Sequence, residues 1–245
     1  MKRSKILIWV TGLAMIGLLA SCHGKGNRGE IIEWPADEHV LVVNNGSIFT
    51  PDYVAIYPAV NAEGVANNIN GMEATFHLPS VQAYAKDSCA ELTMPKVAYS
   101  IGEELKFKYV LGGLCLPMVG DSVRVTKVVL ISANADEPLW GTCATTISDK
   151  GEDPMSTITN DEAGKNTITL DCGEGVMLND TVATDFYLVV PTGALESGFA
   201  LEVYDGDKMV YEKRTTTAPG SGFVPRGTIR KMEGRIEIAA TTDIL

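Results

Sequence analysis

The sequence predicts an all-β protein of antiparallel β-sandwich type. Three observations predict it. Apolar and polar residues alternate with period two from end to end of the chain. Turn pairs such as Asn45-Gly46 and Asp205-Gly206 punctuate the apolar runs. Beyond residue 21, no stretch sustains the i, i+3, i+4 spacing and caps of an amphipathic helix. The 245 residues suit one large β domain or two small ones. Hydrophobic residues are 45% and charged residues 21%, too apolar a balance for disorder.

The first segment is of another kind. Lys2, Arg3 and Lys5 precede a mostly apolar run from Ile6 to Leu19. That run is about fourteen residues, the length of a signal-peptide core and short of the roughly 18 that a spanning helix needs. It ends Leu19-Ala20-Ser21-Cys22, the pattern of a bacterial lipobox. Small residues fit the peptidase cleft, and the Cys22 thiol takes the lipid before cleavage. The reading is a signal over 1–21, then a lipidated Cys22 and flexible tether over 22–36. Losing Lys2, Arg3 and Lys5 takes the net charge from −11 to −14. So acidic a chain is a poor partner for nucleic acid, whose phosphates require clustered Lys and Arg. The expected partner is a membrane, reached through the lipid.

The predicted strands follow in order. Val40 to Val43 leads through Asn44-Asn45-Gly46-Ser47 to Ile48-Phe49 as a hairpin. Tyr53, Ala55 and Tyr57 alternate with Val54 and Ile56. The Asn-, Gly- and Ala-rich run from Val60 to Gly71 is assigned one short helical turn. Ala74, Phe76 and Leu78 alternate with Thr75 and His77, which sets His77 outward. Leu105, Phe107 and Tyr109 form a half-buried strand that Gly112-Gly113 interrupts with a bulge or bend. Leu114 to Val119 and Val123 to Ile131 flank a turn at Gly120-Asp121. Ser148 to Asn166 is acidic and reads as a solvated loop, since it lacks the residue order of a calcium loop. Ile168 with Leu170, and Phe186 with Leu188 and Val190, form two more strands. Phe199 to Val203 and Met209 to Tyr211 form a hairpin around Asp205-Gly206. Ile236 and Ile238 close the series.

Little in the sequence speaks for catalysis. No G-x-S-x-G, H-E-x-x-H, Walker A or dinucleotide glycine pattern is present. The chain has only His23, His39 and His77. Cys89, Cys115, Cys143 and Cys172 have no C-x-x-C spacing, so no metal or other cofactor is expected. They are either buried thiols or up to two disulfides, and the sequence leaves both open. Trp34 and Trp140 are candidates to stack a sugar ring, with Trp140 the chosen ligand contact. Packing is the commoner role of such residues. Arg28 and Arg226 are candidate protease sites, because Pro225-Arg226-Gly227 follows a Gly- and Ser-rich turn.

Several ordered segments together resemble the fimbrillin family, the type V pilins and their accessory subunits from Gram-negative bacteria. They are Tyr53 to Ala59, Ala74 to Gln82, Leu105 to Tyr109 through Leu116, Val128 to Ser132 with Leu139-Trp140-Gly141, Asn166 to Leu170, and Phe186 to Pro191. The resemblance covers most of the chain after Asn44. It implies two tandem transthyretin-like sandwich domains, drawn as 37–102 (reduced) and 103–245. It also implies export to the outer membrane, a fimbrial role in adhesion or pilus assembly, and partnership with other subunits by strand exchange. A host protein or glycan is the implied outer partner. Stalk pilins of this kind lose an N-terminal strand after an Arg. Here Arg28 is followed by no other Arg until Arg124. The expectation is therefore an uncleaved accessory or anchor subunit, with a lipid-anchored glycan-binding module as the alternative.

Overall fold

The structure, a computed structural model, describes residues 6–10, 40–44, 53–58, 62–68, 71–90, 93–100, 105–148, 152–215 and 217–239. All regular elements among them are strands. Two compact units form, each discontinuous in sequence. The first comprises 1–76, 95–108 and 145–155; the second comprises 77–94, 109–144 and 156–245. The sequence reading instead draws a single boundary after residue 102.

The first unit holds β1 (Ile6–Val10), β2 (Val40–Asn44), β3 (Tyr53–Tyr57), β4 (Ala62–Asn68), most of β5 (Gly71–Leu78) and β8 (Lys96–Ser100). β3 lies between β2 and β8 and pairs antiparallel with both. Val54 to Tyr57 are all buried, so this strand is covered on both faces rather than on one. β1 runs parallel to β2, with Ile6 opposite Val40. Ile6–Val10, the first part of the run read as the signal core, thus lies beside β2. The helical turn assigned to Val60–Gly71 is incorrect: β4 and β5 pair there as an antiparallel ladder from Ala62↔Phe76 to Asn68↔Gly71. Gly and Asn carry weak strand propensity, and the ladder to Met72, Ala74 and Phe76 overrides it.

The second unit is built from two sheets. One has the order β15-β10-β18, with β19 also on β10; its strands are β10 (Gly112–Val119), β15 (Thr184–Val190), β18 (Ile229–Lys231) and β19 (Ile236–Glu237). The other has the order β17-β16-β11-β14-β6-β7. Its strands are β6 (Val81–Ala85), β7 (Ser88–Cys89), β11 (Arg124–Ser132), β14 (Thr167–Met177), β16 (Phe199–Asp205) and β17 (Lys208–Arg214). Leu114, Leu116 and Met118 of β10 and Phe186 and Leu188 of β15 share one core with Val128, Leu130, Ile168, Leu170, Leu201 and Val203 from the second sheet. Alternation with period two puts these residues on the inner faces.

The strand breaks just before the glycine pair, as expected: β9 (Lys108–Tyr109) ends there, and a bend at Leu111 precedes Gly112 and Gly113. They open β10 and are buried. A Cβ on Gly112 would lie 2.7 Å from Val224 Cγ1, and one on Gly113 would lie 2.9 Å from the Leu188 carbonyl oxygen. Beside the bend, the glycines permit this close approach. The predicted strand from Leu105 shortens to β9 (Lys108–Tyr109). The supposed loop over Ser148–Asn166 contains β13 (Met155–Thr159), a neighbour of β12 (Gly141–Ile147). β13, Met155-Ser156-Thr157-Ile158-Thr159, is short and has only exposed or half-exposed side chains, so no buried apolar face signals it.

Candidate functional site

Among the described residues, β10 is bordered on one side by the short strands β18 and β19. Odd-numbered residues of β10 turn their backbone groups toward the C-terminal segment. The Gly113 N–H donates to the Thr228 carbonyl at 3.0 Å, and the Cys115 carbonyl accepts from Met232 N–H at 2.9 Å. The Val119 carbonyl accepts from Ile238 N–H at 2.9 Å. Pro117 stands in this row and has no N–H to give. The ladder breaks there: β18 pairs Gly113 to Cys115, and β19 pairs Met118 and Val119. Both short strands run parallel to β10.

The side chains of Ile229, Arg230 and Lys231 are exposed, so apolar burial contributes little to holding β18. Cationic side chains add to the hold that Phe223, Val224, Met232, Ile236 and Ile238 give the segment by packing on the core. Arg226 Nη1 donates to the Tyr109 carbonyl at 2.8 Å, Arg230 Nη1 to the Phe223 carbonyl at 3.1 Å, and Arg235 Nη1 to the Thr181 carbonyl at 2.8 Å. Arg230 also lies over the Phe223 ring, 4.7 Å from its centroid. Lys231 Nζ donates to Asp185 Oδ2 at 2.6 Å. That bond raises the Lys231 pKa and keeps the ammonium charged.

Beneath Lys231, Cys115 on β10 stands opposite Tyr187 on β15. The Tyr187 hydroxyl donates to Asp185 Oδ2 at 3.5 Å. Burial, with the Cys115 thiol next, pushes the Tyr187 pKa up to about 12. Burial pushes the Cys89 thiol up to about 11, with Cys115 adding to it, and the Cys172 thiol up to about 12, with Asp171 adding to it. All four cysteines of the predicted set are free thiols. Three are buried, which answers the question the sequence left open.

The sign of the pH dependence follows. Each of these groups has a folded pKa above its unfolded value, about 8.5 for a thiol and about 10 for a tyrosine. Their contribution to stability is complete below the unfolded values and is lost as pH rises through 11 to 12. The urea midpoint is therefore expected to fall steadily between pH 8.5 and 11, and the folded thiols to react slowly with maleimide at pH 7. A midpoint that stays level across that range would contradict the burial of these groups.

Trp140 is half-buried. Its Nε1 donates to the Gly164 carbonyl at 3.2 Å, and the residue packs against the core of the second unit. Arg226 is half-buried beside buried Phe223 and Val224, and Gly227 N–H donates to the Leu111 carbonyl at 2.9 Å. His77 is exposed, as its strand parity predicts. Cys22, Arg28 and Trp34 lie outside the described residues. Among the described residues no group of three or more His, Cys, Asp or Glu is arranged to hold a metal ion. The sequence reading missed Asp185, Lys231 and Gln82. Pro117, a proline inside a strong strand pattern, was the signal available for the break in this edge.

No protein-family model and no curated protein matches the chain. Among solved structures, one from Bacteroides uniformis, described as a "putative cell adhesion protein", is similar at 18% identity and a TM-score of 0.41. The match covers 74% of this chain and 68% of that one. A second with the same description, from Bacteroides ovatus, is similar at 14% identity and a TM-score of 0.40, over 69% of this chain and 58% of that one. At these scores the likeness carries no argument about fold or function.

Proposed function

We propose that the chain is a lipid-anchored surface lipoprotein of fimbrillin type, an accessory or anchor subunit of fimbriae at the outer membrane of a Gram-negative bacterium. The observation that carries the reading is the C-terminal edge of the second unit. Two short strands run parallel to β10; the side chains of β18 lie in solvent and the strand is held by cations and backbone bonds, while Met232, Ile236 and Ile238 pack on the core around β19. An edge completed in this way suits strand addition, in which backbone bonds give affinity and alternate side chains give register. The core that two sheets share in the second unit suits a transthyretin-like sandwich, the first unit being its reduced companion. In this reading the chain is a binding protein, not an enzyme, and needs no cofactor.

Arg124 supports the anchor role over the stalk role. It opens β11, which pairs with β14 on one side and β16 on the other, and its Nε donates to Asp205 Oδ1 at 2.8 Å. Cleavage there would cut a central strand of the second unit. Cleavage at Arg28 would remove only the polar tether. The glycan-binding alternative has less support, because the Trp140 indole is committed to packing and to Gly164.

N-terminal analysis of protein recovered from intact cells tests the reading. A blocked, acylated terminus at Cys22, with Cys22→Ala lost from the membrane fraction, is the expected outcome. A free terminus between Val43 and Phe76 would replace the anchor reading with a processed stalk subunit.

A further inference from the structure

β13 stands at the end of the sheet ordered β13-β12-β5-β4. Its residues, Met155-Ser156-Thr157-Ile158-Thr159, include no charge, no proline and no glycine. A strand in this place turns one row of backbone N–H and C=O groups away from its sheet, and proteins commonly blunt such an edge with charge, a bulge or brevity. The other end of this sheet and the edges of the second unit are blunted. β4 has Glu63 and a register shift between Ala62 and Gly64. β17 has Lys208, Glu212, Lys213 and Arg214, and its pairing shifts register opposite Val203 and Tyr204. β7, β18 and β19 have only two or three residues. On β15, Gln82 occupies the Val189 N–H and carbonyl. β13 has none of these devices, and Met155, Thr157 and Thr159 are exposed along one of its faces.

The charges stand just beyond the two ends of β13. Glu152 and Asp153 precede it and Asp161 and Glu162 follow it, all exposed. Lys108 Nζ meets Asp153 at 3.1 Å. Glu152, Asp161 and Glu162 make no ion pair among the described residues. These carboxylates decide what can lie against the edge. A second copy of β13 is a poor occupant: laid antiparallel about Thr157, it sets Asp153 against Asp161 and Glu152 against Glu162, and laid parallel in register it sets each carboxylate against itself. We propose that the β13 edge takes an extended segment of a partner protein, with an uncharged, strand-forming centre of about five residues bracketed by Lys or Arg at both ends. Backbone bonds along the edge supply affinity, and the two acidic ends select the basic flanks. The site is separate from the β10 edge and does not depend on the fimbrial reading.

The test titrates the full chain at low salt with the peptide Lys-Lys-Thr-Val-Thr-Val-Thr-Lys-Lys and follows backbone hydrogen exchange residue by residue. Amides of Met155–Thr159 are expected to gain protection, and binding is expected to weaken as salt is raised. Asp161→Asn with Glu162→Gln, both at exposed positions, should weaken binding about threefold or more. Thr157→Lys, which places a charge on the exposed face of the strand, should weaken it as well. Replacing both valines of the peptide with proline keeps every charge and removes two strand N–H groups, so that peptide should give no protection. Four results each overturn the proposal: no protection at β13 with the basic peptide, equal binding by the proline peptide, protection at β10 or β17 in place of β13, or a chain that dimerises through β13 without any peptide.

Discussion

Phe186→Ala is expected to lower the stability of the second unit by about 3–5 kcal/mol, the range for truncating a buried aromatic side chain. Phe186 is fully buried between the two sheets. Its ring meets Tyr84 at 5.3 Å with a 47° tilt, so the change removes apolar burial and an aromatic contact together. The hairpin that carries Tyr84 also loses part of its seat. Urea unfolding should show a lower midpoint with the slope unchanged. A loss below about 1 kcal/mol would mean that the site collapses without leaving a cavity.

Gln82→Leu is the second large effect, expected at about 2–4 kcal/mol. The side chain is 2% exposed, and its amide does the work of a strand. Nε2 donates to the Val189 carbonyl and Oε1 accepts from the Val189 N–H, both at 2.8 Å. Leucine has nearly the same volume, so packing is kept while both backbone groups lose their partner. Each buried unsatisfied group costs about 1–3 kcal/mol. Gln82→Glu separates the two bonds. A neutral carboxyl replaces the amide as donor and acceptor, whereas a carboxylate cannot donate and is buried. Burial raises the folded pKa of that glutamate above its unfolded value of about 4.3. Its stability should therefore be greatest below that value and be lost as pH rises through the folded pKa. If the glutamate variant were equally stable at pH 4 and pH 8, the amide bridge would have no energetic weight.

How far the fold was legible varies with the strand. β3, β10, β11, β14, β15 and the β16–β17 hairpin are legible because an apolar face at period two must be buried. β13 and β18 were not, because their side chains stay in solvent and only backbone bonding makes them strands. β4 was misread for the same reason: Gly and Asn carry no burial signal, and the β5 partner supplies the order. The glycine pair at 112 and 113 was correctly singled out as the place where the strand breaks, while its close neighbours were not legible. A missing Cβ looks the same in sequence whether it permits a bend or a close neighbour, and Val224 lies more than a hundred residues away.

Legibility of the candidate site divides along the same line. The lipobox at Cys22 and the scarcity of Arg before Arg124 are local properties, so the sequence by itself determined the proposed export route and what Arg-specific cleavage could reach. It also determined the all-β class, because period-two burial is written residue by residue. The Asp185–Lys231 pair and the Gln82–Val189 bridge join residues 46 and 107 positions apart. Only the tertiary structure could decide them. Strand order and register are set by the summed packing of both sheets, and no single segment encodes which distant edge it will meet.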